Sequence, residues 1–286
     1  MALRARKPES VKKRLKLFLY GTAGSGKTTA SVQVPHSYII DCERGTENYD
    51  KLISASKSVV FQTTDINEIL AEVKSLLTEK HEYRTLVIDP ITTVYNDLLE
   101  KCEAKVGNQM GRHYGEANKV MKRLANLLMA LDMNVIITAH AKKEYGDNMA
   151  VIGRTFDGWK QLDYLFDLVI EIERGKKSKT RTATVVKTRI DSFPDRDVFE
   201  WSYEALRQRY DIAELEREAH AVELASPEQV KNIKALLELV KLPEGTTEKW
   251  FTKANVEVWE DMPADVIAKC LEYVQNRVPT VAAAVA

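Results

Sequence analysis

The chain has 286 residues, enough for one large α/β domain or for a core with a small appendage. Lysine plus arginine and aspartate plus glutamate both number 42, so no global positive field draws it to nucleic acid, and any such contact must come from local patches. Cys42, Cys102 and Cys270 are too scattered for a disulfide framework or a metal-ligand pattern. No apolar run approaches the ~20 residues of a membrane-crossing helix, and no signal peptide is legible, so a reduced, cytoplasmic protein is expected.

The first 14 residues form a basic tail, with Arg4, Arg6, Lys7, Lys12, Lys13 and Arg14 against Glu9 alone. Leu15 to Tyr20 then reads as a buried strand feeding Gly21-Thr22-Ala23-Gly24-Ser25-Gly26-Lys27-Thr28-Thr29, a G-x-x-x-x-G-K-[ST] phosphate loop. The chemistry explains the residue types. A triphosphate needs converging backbone N–H donors, and glycines allow the backbone to form that nest. Lys27 reaches the β- and γ-phosphates, Thr28 offers its hydroxyl to Mg2+, and the helix opening there points its positive end at the anion. ATP or GTP, together with Mg2+, is therefore expected, and the loop alone does not choose between the two nucleotides.

That helix should stop near Pro35, and Tyr38-Ile39-Ile40 reads as a strand ending at Asp41. A shorter strand follows at Ser58–Phe61, then a helix capped by Asp65 whose Ile66, Ile69, Leu70, Val73 and Leu76 share one face. Thr85–Ile88 is a central strand closed by Asp89, placed as a Walker B carboxylate for Mg2+. Two helices over about 92–105 and 116–131 flank an irregular stretch from Gly107 to Gly115. Val135–Ala139 is a further buried strand, ending in His140. Apolar strands alternating with helices indicate a mostly parallel, doubly wound α/β sheet. Three later strands with short connections, at 166–172, 183–188 and 198–201, indicate an antiparallel extension. A charged helix is expected over about 203–220, and Ser226-Pro227-Glu228-Gln229 opens a small three-helix module with a capping box.

Ile39-Ile40-Asp41-Cys42-Glu43 follows the phosphate-loop helix and matches the apolar-apolar-Asp-x-Glu pattern of RecA-type ATPases, which the chain resembles over roughly residues 15 to 202. The resemblance implies a RecA-like core and makes Glu43 the general base. It places His140 as the γ-phosphate sensor, where that superfamily usually carries glutamine. Val185-Val186-Lys187-Thr188-Arg189 resembles its K-x-[KR] element, so Lys187 and Arg189 would reach a neighbouring subunit's nucleotide. The segments after Asp89 and after His140 correspond to its nucleic-acid loops. They supply Arg112, His113 and Tyr114, and then Lys142, Lys143, Arg154, Phe156, Trp159 and Lys160, types suited to phosphate contact and base stacking.

The motif order resembles phage-encoded RecA-like ATPases of single-strand annealing and recombination. It implies single-stranded DNA as ligand, a homo-oligomeric ring or filament, and contact of the C-terminal module with a single-strand-binding protein. The expected organisation is tail 1–14, core 15–205, linker helix 206–225, module 226–278 and tail 279–286. A DnaB-like helicase, a nucleotide-gated assembly protein and a P-loop kinase remain open alternatives.

Overall fold

The computed structural model describes residues 13–146, 149–175 and 180–277, so most of the basic N-terminal segment, Asp147 and the terminal tail lie outside the described residues. Contacts divide the chain into two units. The first is drawn from Met1–Thr64, Glu82–Thr93 and Met133–Ala219, the second from Asp65–His81, Val94–Asp132 and His220–Ala286.

In the first unit, β1 (Lys16–Gly21), β2 (Ser37–Asp41), β3 (Val59–Gln62), β4 (Thr85–Asp89), β5 (Asn134–Tyr145) and β7 (Leu168–Arg174) run parallel. Beyond β7, β8 (Arg181–Thr188) and β9 (Val198–Glu200) are antiparallel, giving the order β3-β2-β4-β5-β1-β7-β8-β9. The fold is thus a mostly parallel α/β sheet with an antiparallel extension, as the alternating pattern implied. Every residue of β1 and β4 is buried, because a central parallel strand is covered on both faces. Helix α1 (Lys27–Val32) packs on β1, β4 and β5, and α2 (Asp50–Ala55) adds Ile53 to the same core as Leu17, Val87, Ile136 and Ile170.

Two expectations in this unit are corrected. The strand ending at His140 continues to Tyr145 and folds back as β6 (Val151–Phe156), so most of the segment read as a loop is an antiparallel hairpin. Its alternation is masked because Lys142 and Lys143 put a charge on each face of the strand, with Arg154 opposite Lys143. After the short α6 (Leu162–Leu165), the charged helix expected over 203–220 is two helices, α7 (Tyr203–Arg209) and α8 (Ile212–Glu216). Asp211 stops the run by capping the second, accepting from Ala213 N.

The second unit holds α3 (Ile66–Thr78), most of α4 (Ile91–Val106), α5 (Arg112–Ala130), α9 (Pro227–Leu239), α10 (Thr246–Ala254) and α11 (Ala264–Gln275). Helix α5 begins four residues before the expected 116, behind Gly111 at φ 72°, so His113, Tyr114 and Gly115 are helical. The capping box at Ser226 forms as read, and Ile233, Met262, Ile267 and Val274 build the core with Trp259.

A buried carboxylate ties α5 to the C-terminal segment within this unit. Asp261, whose side chain is 2% exposed, accepts from Arg123 Nε at 2.6 Å and Nη2 at 2.9 Å, with Lys74 Nζ 3.5 Å away. Bidentate geometry and burial lift this pair above ordinary surface ion pairs, and losing the arginine strands a desolvated charge. Arg123→Ala is expected to cost about 2–3 kcal/mol in urea unfolding, discounted for the partial exposure of Arg123. A loss below about 0.5 kcal/mol would show that the pair contributes nothing beyond a surface bridge.

Candidate functional site

The phosphate loop stands at the carboxyl end of β1, where ligands bind in open parallel sheets. Gly24 and Gly26 adopt φ of 73° and 99°, backbone that a side chain would strain. Gly21 is required for a different reason, since a Cβ there would overlap Ile172 O and Ser25 Oγ. Lys27 Nζ donates to Gly21 O at 2.9 Å and Thr22 O at 3.1 Å, which holds the ammonium inside the loop's curve. Burial lowers its pKa, while the carboxylates of Asp89 and Glu43 raise it.

In-register pairing sets the rest of the row. Gly21 lies opposite His140 across β1 and β5, and Asp41 opposite Asp89 across β2 and β4. Asp89 is buried, and desolvation pushes its pKa up; hydroxyls of Thr138 and Thr28 and the Lys27 ammonium pull it back. Thr138 donates to Asp89 Oδ1. A desolvated carboxylate beside a threonine hydroxyl is a hard oxygen set that fits Mg2+, which takes one or two carboxylates and completes its shell with water and phosphate.

Asp41 does different work. Its Oδ1 accepts from Glu43 N (3.1 Å) and Gly45 N (3.0 Å), and its Oδ2 from Thr46 N (2.9 Å) and Thr46 Oγ1 (2.6 Å). The four bonds fold the segment after β2 around one carboxylate and so aim Glu43. The Glu43 carboxylate is gripped at both oxygens: Thr93 Oγ1 donates to Oε1, and His140 Nε2 stands 3.2 Å from Oε2. The His140 backbone is fixed in turn, its N–H donating to Thr92 Oγ1 at 2.9 Å while Thr92 donates to Asp157 O at 2.6 Å. Glu43 and His140 are each about 40% exposed, open enough to meet solvent and substrate.

The structure therefore gathers Lys27, Thr28, Glu43, Asp89 and His140 at one end of the sheet. Asp41, Thr92, Thr93 and Thr138 were missed as site residues. Only Asp41 left a sequence signal, as part of the I-D-x-E pattern.

Lys187 and Arg189 are not brought there. Lys187 pairs with Val169 and Thr188 with Leu168, at the amino end of β7, whereas the phosphate loop is at the carboxyl ends. In their own chain, Lys187 Nζ donates to Asp163 O and to Phe166 O, and Arg189 to Tyr164 O and Asp167. Any catalytic part for this pair requires a second subunit.

The nucleic-acid candidates separate into engaged and exposed groups. Trp159 is 3% exposed, so its assignment to base stacking is corrected: the indole is a core group. Phe156 packs edge-on against Phe18 at 4.9 Å and faces Tyr20 at 6.4 Å, committing its ring to the sheet as well. Lys142 pairs with Asp157 at 3.0 Å, and Arg154 with Glu171 and Glu173. Lys143, Lys160, Arg112 and Tyr114 are exposed, and His113 stacks on Tyr114 at 4.2 Å. The hairpin also shows Tyr145, Val151 and Ile152 to solvent, the last 66% exposed. Among the described residues, no helix is long and apolar enough to cross a membrane.

No curated protein matches the sequence. A RadB recombinase structure aligns at 18% identity and TM-score 0.43, over 72% of this chain and 90% of its own. A KaiC-like protein from Pyrococcus horikoshii OT3 aligns at 14% and TM-score 0.40, over 65% of this chain and 84% of its own. The family profile described as AAA domain matches residues 13–192, well over half of the chain. With its phosphate loop, buried strand-end aspartate and parallel sheet, the chain belongs to the AAA domain family.

Proposed function

We propose that the chain is an ATP- and Mg2+-dependent ATPase that binds single-stranded DNA and promotes annealing or homologous recombination. The observation that carries the hydrolytic part is the double grip on Glu43. A carboxylate held by Thr93 and His140, beside the phosphate loop and separate from the buried Asp89, is positioned to accept the proton of an attacking water. Thr28 and Asp89 would hold Mg2+, which supplies charge neutralisation on the β- and γ-phosphates when bound. Lys27 moves from the loop's own carbonyls to the phosphates. His140, partly exposed beside Glu43, would sense the γ-phosphate.

The DNA part is supported by the RecA-type order of motifs and by the exposed Lys143 and Tyr145 of the β5–β6 hairpin. A surface cation beside an exposed aromatic ring suits phosphate contact and base stacking on single strands without base-edge readout. Assembly into a homo-oligomer would bring Lys187 and Arg189 to a neighbour's nucleotide, and the C-terminal helices would contact a single-strand-binding protein, as the resemblance implies.

ATP hydrolysis and DNA binding, measured with and without single-stranded DNA, test the reading; absence of both binding and stimulation would sink it. Lys27→Ala is expected to abolish binding of a fluorescent ATP analogue, and unchanged affinity would contradict the assignment of the loop. Glu43→Gln should keep ATP affinity while kcat falls about a hundredfold or more. Thr93→Val, which frees one oxygen of Glu43, should lower kcat by about tenfold with KM unchanged, the cost of one charge-assisted hydrogen bond. A Thr93→Val enzyme as fast as the parent would show that Glu43 needs no such support. Lys143→Glu with Lys160→Glu should remove DNA stimulation and leave DNA-free hydrolysis intact; retained stimulation would move the DNA contact elsewhere.

A further inference from the structure

The reversal of β8 brings its first residue, Arg181, to the phosphate-loop end of the sheet, opposite Arg174 of β7. Its side chain lies directly on the loop. A Cβ built on Gly26 would overlap Nε and Cδ of Arg181 and sit 3.1 Å from Cζ. Glycine at this position therefore satisfies two demands, the φ of 99° and the room that the arginine occupies. Two polar groups here are buried without a hydrogen-bond partner among the described residues, Arg181 Nε and Ser25 Oγ of the loop. A buried donor left unpaired is costly unless something supplies an acceptor. A cavity of about 520 Å³ opens beside Ser25, between Thr22–Ser25 and the strand ends carrying Glu173, Arg174 and Thr182, the residue that follows Arg181.

We propose that Arg181 is a nucleotide-binding residue supplied by the same chain, whose guanidinium clamps the α- and β-phosphates over Gly26. The inference rests on the reading of the loop as a triphosphate cradle. The backbone around the last loop glycine holds the α/β segment of a bound nucleotide, whereas Lys27 reaches β and γ. A planar donor fork on that segment fills the unmet need of Nε with a phosphate oxygen and adds charge without touching the transferred group. Its contribution is thus to binding, shared by ADP and ATP, and it is distinct from any part that Lys187 and Arg189 play from a neighbour.

Affinities for mant-ADP and mant-ATP with Mg2+, measured on the full chain and on Arg181→Gln, Arg181→Lys and Lys27→Ala, test this. Gln keeps much of the stem over Gly26 and removes the charge. Arg181→Gln should weaken both analogues by the same factor, about ten- to a hundredfold. Arg181→Lys should fall between, since an ammonium keeps charge but lacks the fork. The hydrolysis KM should rise with little change in kcat, and the nucleotide-free thermal midpoint should stay that of the parent. Arg181→Gln binding as tightly as the parent, or more tightly, overturns the proposal; tighter binding would make Arg181 a plug. An affinity loss that follows a lowered nucleotide-free midpoint in both variants also overturns it, as a structural role. If the parent chain binds neither analogue and Lys27→Ala behaves identically, the cradle itself is misread, an outcome separate from the failure of Arg181 alone.

Discussion

The register of the parallel strands is the constraint on which the site depends. Because β2 and β4 pair Asp41 with Asp89, two carboxylates end side by side in a buried row, and Asp41 adds to the desolvation that raises the cost of ionising Asp89. The fold resolves this by giving them separate donors. Asp41 takes four hydrogen bonds from the segment that follows it, and Asp89 takes a threonine from β5 and the influence of Lys27 and Thr28. A slip of one residue in either strand would turn one carboxylate to the opposite face and leave a desolvated charge without partners.

The same row explains why Glu43 stands where it does. Satisfying Asp41 requires the backbone N–H groups of Glu43, Gly45 and Thr46 to converge, and that turn leaves the Glu43 side chain facing Thr93 and His140. The structural need to neutralise one acid thereby positions another. Lys27 is subject to opposing effects of similar origin: burial disfavours its charge, while Asp89 and Glu43 favour it. A polyphosphate entering the cradle would tip that balance toward the charged form, as an added anion does in a low-dielectric site.

How much of this was legible follows from how local each signal is. The phosphate loop, the strands ending at Asp41 and Asp89, and the apolar Val135–Ala139 stretch of β5 are runs of adjacent residues, readable without tertiary context. The I-D-x-E pattern located Glu43, yet not its holders. Thr92, Thr93 and Thr138 are separated from their partners by about fifty residues or more, and a threonine in an apolar strand or at a helix start carries no pattern of its own. The hairpin escaped notice because charged side chains occupy both its faces, and Gly146 and Gly153 punctuate it like loop residues. Trp159 misled in the opposite way. A tryptophan among basic residues and glycines suggests an exposed platform, but composition says nothing about which side chains the core recruits.

Strand direction decides which basic residue of β8 meets the cradle. A K-x-[KR] element read from sequence draws attention to Lys187 and Arg189, and on a strand parallel to β1 they would lie at the phosphate end. The short connection from β7 makes β8 antiparallel instead, so its order is inverted: Thr188 sits beside Leu168, and Arg181 beside Arg174. Six residues of antiparallel strand separate the two ends by about 20 Å, beyond the reach of any side chain. Within one subunit the strand therefore offers the cradle its first arginine and withholds its last two cations. That division fits the proposed clamp of the α/β segment by Arg181 within one chain, whereas Lys187 and Arg189 could meet a nucleotide only across a contact with a second subunit.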